Sequence, residues 1–219
     1  ALPLAQGVKM ANKDLTVIAS GGDGDGYAIG MGHTIHALRR NMNMTYIVMD
    51  NQIYGLTKGQ TSPSSAKGFV TKSTPKGNIE KNVAPLELAL SSGATFVAQG
   101  FSSDIKALTK MIEDAIHHDG FSFVNVFSPC VTYNKVNTYD WFKEHLTSID
   151  DIEGYDNTDK QLAMKTVLDH ESLVKGIVYQ DTTTPSYESQ ISELEHEALA
   201  KRDIHITEET FNDLTAQFL

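Results

Sequence analysis

Cysteine is nearly absent: the 219 residues hold one, Cys130. A single thiol excludes an internal disulfide framework and suits a reducing, cytoplasmic compartment. Long apolar runs are missing too. No stretch approaches the ~20 residues of a membrane span, and no signal-peptide pattern is visible, so a membrane partner is not expected. Positive charge is scarce: 18 Lys and Arg stand against 28 Asp and Glu, a net charge of −10. That balance argues against nucleic acid as a partner. The deficit is uneven. From Asp150 onward there are 16 acids and 5 bases, whereas the first 149 residues hold 12 acids and 13 bases. The acidic tail reads as a solvated face. No internal repeat and no Ser–His–Asp or Cys–His arrangement stands out. The hydrophobic share of 40% is enough for a sizeable core, in one large domain or one domain plus an extension.

What is present is concentrated in residues 15–60. Residues 15–20, Leu-Thr-Val-Ile-Ala-Ser, read as a buried strand. The strand stops at Gly21-Gly22-Asp23-Gly24-Asp25-Gly26, which is too rich in glycine to continue it. A helical pattern follows, with apolar residues at Ala28, Ile29, Met31, Ile35 and Leu38 and Arg39-Arg40 at the end. Residues 45–49 form a second strand and run into Asp50-Asn51-Gln52-Ile53-Tyr54-Gly55. Two strand ends thus each present a carboxylate or amide beside glycine, as open parallel sheets build ligand sites. Magnesium takes hard oxygen ligands and keeps few from protein when a diphosphate supplies the rest. Glycine around Asp23 lets main-chain N–H groups approach phosphate oxygens, and the following helix points its positive end there. Spacing alone leaves Asp23 and Asp25 both open as the metal ligand.

The run GGDGDGYAIGMGHTIHALRRN, continued by DNQIYGLTKGQTSPSS, carries a resemblance. Gly-Asp-Gly followed by Asn after about 26 residues resembles the thiamine diphosphate fingerprint. The wider run resembles the β subunit of 2-oxoacid:ferredoxin oxidoreductases of the 2-oxoglutarate and pyruvate group. The likeness extends from Ala1 to about His145. It implies a doubly wound parallel α/β sheet of the pyrophosphate-module type, with a helical acidic C-terminal extension. It implies magnesium on Asp23, Asn51 and the main-chain oxygen of Ile53, with Asp23 rather than Asp25 aligned to the family's metal ligand. Gly22, Asp23, Gly24, Asp25, Asn51, Ile53, Tyr54, Gly55, Leu56 and Thr57 would hold the cofactor. Leu56 would pack near the thiazolium and Lys58 would face the 2-oxoacid or a cofactor charge, the two expected catalytic positions.

The same resemblance implies a CoA-dependent oxidative decarboxylation, 2-oxoglutarate favoured and pyruvate next, with electrons passed to ferredoxin. An α subunit would complete the active site with the glutamate that activates the cofactor; none between Asp23 and Gln60 could do so. In Ser128-Pro129-Cys130 the cysteine would be one ligand of a [4Fe–4S] cluster in the intact subunit. The family's other cluster cysteines lie in an N-terminal region preceding this stretch, so the chain is expected to be a fragment. Another thiamine-dependent lyase or synthase is one alternative reading, but such enzymes lack the YGLTKGQ run and a later SPC; a non-catalytic magnesium–diphosphate module is the other, and the fold alone does not exclude it.

The remaining chain alternates helix and strand. Residues 54–82 read as a long functional loop. Helices are expected at 85–92 and after a capping Asp104, with strands at 95–98 and 121–127. His117 and His118 end the second helix, where histidine answers the dipole. His33 and His36 read as packing or hydrogen-bonding residues. Tyr139, Trp141 and Phe142 form an aromatic knot that packs an extension (135–219) onto a core domain (1–134). Residues 150–160 read as a linker, with short helices near 162–168, 189–199 and 207–218.

Overall fold

The computed structural model describes residues 1–195, 197–203 and 205–218. Helix α1 (Leu2–Ala11), started by Pro3, leads to strand β1 (Ile18–Gly22). One π-helical turn (Asp25–Ile29) then enters α2 (Met31–Arg40). Asn41 ends α2 in the left-handed region at φ 54°, a conformation Asn tolerates better than most residues. Strand β2 (Met44–Asp50), α3 (Pro85–Ser91), β3 (Phe96–Phe101), α4 (Ile105–His117) and β4 (Phe121–Phe127) complete the first part. Asp104 caps α4 as expected, accepting from Ala107 N. Beyond lie α5 (Tyr139–His145), β5 (Thr147–Ser148), α6 (Lys160–Asp169), β6 (Val174–Gln180) and α7 (Glu208–Ala216).

The six strands form one sheet in the order β1-β2-β4-β3-β6-β5. The pairs β1–β2, β2–β4 and β3–β4 are parallel. The α/β class and the parallel centre are as expected, but the extension is not simply helical. Its strand β6 adds to β3 antiparallel, and β5 pairs with β6. Extension and core therefore share a sheet. Strand β1 also departs from expectation. It is an edge strand, with Ile18 half exposed; it begins at Ile18 rather than Leu15 and reaches two residues further, through Gly22. The expected helix at 189–199 appears as 3-10 turns at Glu188–Gln190, Ser192–Leu194 and Leu199–Lys201, with position 196 outside the described residues.

Alternation along the strands divides the core. On one face Tyr46, Val48, Val97, Phe121 and Phe123 pack with Leu38 of α2, Leu86 and Leu90 of α3 and Val167 of α6. On the other, Phe96, Ala98, Val124 and Val126 meet Met111 and Ala115 of α4. The aromatic knot forms as expected: Phe142 stacks on Phe127 at 4.4 Å between ring centroids, with Phe101 at 5.7 Å. The paired histidines part company. His117 Nδ1 meets Glu113 O at 2.8 Å, as a residue answering the helix end would. His118 instead lies buried, its Nε2 2.8 Å from Thr95 Oγ1, which donates to Asn41 Oδ1. Burial holds the His118 imidazole below its ordinary pKa.

Candidate functional site

Parallel pairing of β1 with β2 sets Gly22 beside Met49, so the residues that follow each strand emerge side by side. Asp23 leaves β1 with its side chain buried, 3% exposed. Its Oδ2 accepts a 2.5 Å hydrogen bond from Ser62 Oγ. Burial raises its pKa, opposed by Ser62 and by main-chain amides that include Gly24 and Asn51. Those amides put the carboxylate against the turn that follows β2.

That turn is held by Asp50. Asp50 Oδ1 accepts from Gln52 N at 3.2 Å and Oδ2 from Asn125 Nδ2 at 3.4 Å. Gln52 takes a left-handed backbone, φ 59°, a conformation that costs a non-glycine residue and clusters at functional sites. Asn51 Oδ1 accepts from Ile53 N at 3.0 Å, which leaves the amide oxygen a second lone pair. Asp50 is fully buried, and burial plus the nearby Asp23 charge push its pKa to about 7.

Two carboxylates buried in each other's field disfavour ionisation of both, and a divalent cation bound at Asp23 inverts that penalty. The donors at hand are oxygens: the Asp23 carboxylate, the Asn51 amide and main-chain carbonyls. Among the described residues no group of three or more His, Cys, Asp or Glu could hold a metal. A cation here would take few protein ligands and draw the rest from a bound molecule, which fits magnesium with a diphosphate.

Serines from the long loop close the third side. Ser65 Oγ donates to Gln52 O at 2.7 Å and accepts from Ser62 N at 2.9 Å. Asn78 Nδ2 in turn donates to Ser65 O at 3.1 Å. Sequence reasoning included this loop but singled out neither serine; the signal available was the Ser-Pro-Ser-Ser cluster inside the quoted run. Beside the cradle, at the carboxyl ends of β2, β3 and β4, a cavity of about 520 Å³ is lined by Asp50, Ser64, Gln99, Phe127 and Trp141.

The expected site residues divide. Asp23, Gly24, Asn51, Ile53 and Tyr54 come together. The Tyr54 ring crowds Gly24: a Cβ on Gly24 would stand 2.0 Å from Tyr54 Cε1. Tyr54 OH donates to Gly24 O at 3.4 Å. Gly22 borders the cradle beside Met49, with no atom closer than 3.9 Å to where its Cβ would stand. Asp25 goes elsewhere. Its exposed carboxylate lies over Gly21 and beside Tyr46, whose phenol burial and Asp25 push up to about 12. The tip of the 54–60 loop points into solvent. Leu56 is 99% exposed, Thr57 bonds to Gln60 Oε1, and Lys58 is exposed with φ 73°. Leu56, Thr57 and Lys58 thus do not line the cradle within this chain. Cys130 is partly exposed and abuts Gly55, its Sγ 3.4 Å from where a Cβ there would stand. Ser128 N donates to Asp50 O at 2.8 Å, so the Cys130 segment begins at the cradle.

Residues 1–126 match the family model of the thiamine pyrophosphate enzyme, C-terminal TPP binding domain. Residues 130–196 match the family model for the C terminal of the pyruvate ferredoxin oxidoreductase beta chain. The 2-oxoacid:ferredoxin oxidoreductase subunit beta of a Sulfolobus species is 42% identical over 201 residues, covering 87% of this chain and 66% of that relative. The Saccharolobus solfataricus subunit is 40% identical, covering 88% and 67%. The chain thus spans about two thirds of the length of these relatives. A 2-oxoglutarate:ferredoxin oxidoreductase from Magnetococcus marinus, solved with 2-oxoglutarate, coenzyme A and succinyl-CoA bound, superposes with a TM-score of 0.87. It is 36% identical, and the match covers 98% of this chain and 72% of that one. No helix among the described residues is long and apolar enough to cross a membrane. With the cradle, both family models and these relatives in agreement, the chain belongs to the thiamine pyrophosphate-binding β subunits of the 2-oxoacid:ferredoxin oxidoreductases.

Proposed function

We propose that this chain binds thiamine diphosphate and magnesium and serves, with a partner α subunit, in the CoA-dependent oxidative decarboxylation of 2-oxoglutarate, electrons passing to ferredoxin. The observation that carries the reading is the buried Asp23 carboxylate facing the Asn51 turn across two adjacent strand ends. Relatives named for 2-oxoglutarate favour that substrate over pyruvate. One such relative is the 2-oxoglutarate oxidoreductase subunit KorB of Mycobacterium tuberculosis, 46% identical over 131 residues.

The bound cofactor supplies the electron sink that the decarboxylation needs. The chain's own residues do the holding. Asp23, Asn51 and the Ile53 carbonyl would ligate magnesium, and Ser62, which donates to Asp23 Oδ2, would hold that carboxylate in place for it. The main-chain amides of the glycine turn and of the helical segment after it would face the diphosphate. Tyr54 walls the glycine turn. Leu56 and Lys58, exposed on their loop in this chain, would meet the thiazolium and substrate once they are covered by the α subunit. That subunit would supply the acid that activates the cofactor. Cys130 is the chain's one thiol and cannot hold a [4Fe–4S] cluster by itself. Its place beside Gly55 suits one ligand of a cluster completed by other cysteines. A cytoplasmic setting belongs to the same reading.

The test is retention of thiamine diphosphate by the full-length subunit assembled with its partner, followed by 2-oxoacid-dependent dye reduction. Retention in magnesium, loss with chelator and a preference for 2-oxoglutarate are expected. Absence of magnesium-dependent retention would remove the reading.

A further inference from the structure

Asn125 stands in the middle of β4, in the buried run Phe-Ser-Phe-Val-Asn-Val-Phe, and is fully buried. A polar side chain in such a place must have its hydrogen bonds met within the protein. Here every one is. Tyr27 OH donates to Asn125 Oδ1 at 2.6 Å, which fixes the amide's orientation. Its Nδ2 then donates to Asp50 Oδ2 at 3.4 Å and to Gln99 Oε1 at 2.8 Å. Gln99 Nε2 donates to Ser172 O and Val174 O, both at 2.7 Å. The register puts Gln99 and Val48 directly beside Asn125 on the neighbouring strands, so the chain of bonds runs across the sheet within the strands.

The endpoints give the chain of bonds its meaning. Tyr27 lies in the π-helical turn that follows Asp23, and Asp50 holds the turn that carries Asn51. One side chain on a third strand thus ties together the two segments that would ligate the metal. We propose that Asn125 is a positioning residue that sets the spacing of Asp23 and Asn51 for magnesium, with Tyr27 as its anchor. The proposal rests on the magnesium–diphosphate reading above. Gln99 extends the tie to the extension, at the start of β6.

Cation size supplies a readout that a merely structural role would not move. Magnesium demands near-octahedral geometry at short distances, whereas calcium accepts longer and looser shells. The assay is retention of thiamine diphosphate by the full-length subunit with its partner, titrated with Mg²⁺ or Ca²⁺. Tyr27→Phe removes the hydroxyl and keeps the ring's edge contact with Phe123 at 6.4 Å. Its half-saturating Mg²⁺ is expected to rise about tenfold, the low end for loss of a residue supporting a metal ligand, with Ca²⁺ moving less than about threefold. Thr95→Val breaks a buried bond away from the cradle and should lower the melting temperature while leaving both cation requirements in place. Should Tyr27→Phe fail to fold, Asn125→Ser carries the same expectation. Equal rises for both cations, or unchanged values in the folded variant, overturn the positioning role. If wild type itself shows no metal-dependent retention, the functional reading falls, and this role with it.

Discussion

Replacing Phe142 by alanine tests whether core and extension unfold as one body. Phe142 is 1% exposed and stacks on Phe127 at 4.4 Å. Phe101 lies at 5.7 Å and Trp141 at 5.0 Å. Truncation of a buried phenylalanine costs ~3–5 kcal/mol through lost transfer energy and the cavity left behind. At ~2–4 °C per kcal/mol for a chain of this size, the melting temperature should fall by about 10 °C. The stack joins α5 to the ends of β3 and β4, and β6 pairs with β3, so the loss should be felt throughout. Trp141 is the chain's only tryptophan and reports on the extension, whereas far-ultraviolet circular dichroism reports on all helices and strands. In urea the two signals should move together to a lower midpoint. If fluorescence shifts while the dichroism midpoint stays at the wild-type value, the extension unfolds by itself and the shared-sheet argument is wrong.

Asp23→Ala should abolish magnesium-dependent thiamine diphosphate binding, measured by calorimetry, while Asp25→Ala keeps it; the reverse result would move the ligand to Asp25. Gly24→Ala would drive a methyl into the Tyr54 ring and should cost ~1–3 kcal/mol by overpacking, read by urea denaturation. Tyr54→Ala in the same chain should recover most of that cost, and a single variant as stable as wild type would contradict the contact. His118 has its pKa depressed by burial, with Asp119 and Asp181 opposing. Between the folded pKa and the unfolded value of ~6.5, the unfolded chain binds more protons, so stability falls as pH drops through that window. His118→Gln should flatten the fall, and parallel melting-temperature profiles would exclude His118 as its source. In the assembled enzyme Cys130→Ala should lower iron content and ferredoxin reduction while thiamine diphosphate stays bound; unchanged iron would make Cys130 a packing residue.

Local signals determined much of this protein. Glycine after one apolar run and Asp-Asn after the next marked the two strand ends. The Asp104 cap and the apolar spacing after it marked α4, and Tyr139, Trp141 and Phe142 marked the aromatic contact. Each is legible because cause and effect lie within a few residues. Tertiary structure decided the rest. Strand β6 escaped notice because Lys175 and Gly176 blur its pattern, and its partner β3 lies far away in sequence. Asp23 and Asp25 have equal standing by spacing; the π-helical turn that begins at Asp25 turns one carboxylate inward and the other toward Tyr46. His118 looked like its neighbour until Thr95 and Asn41 arrived from other elements. Ser62 reaches Asp23 across 39 positions and Tyr27 reaches Asn125 across 98. A hydrogen bond depends on where a donor ends up in space, and chain folding, not composition or periodicity, brings such distant groups within 3 Å of each other.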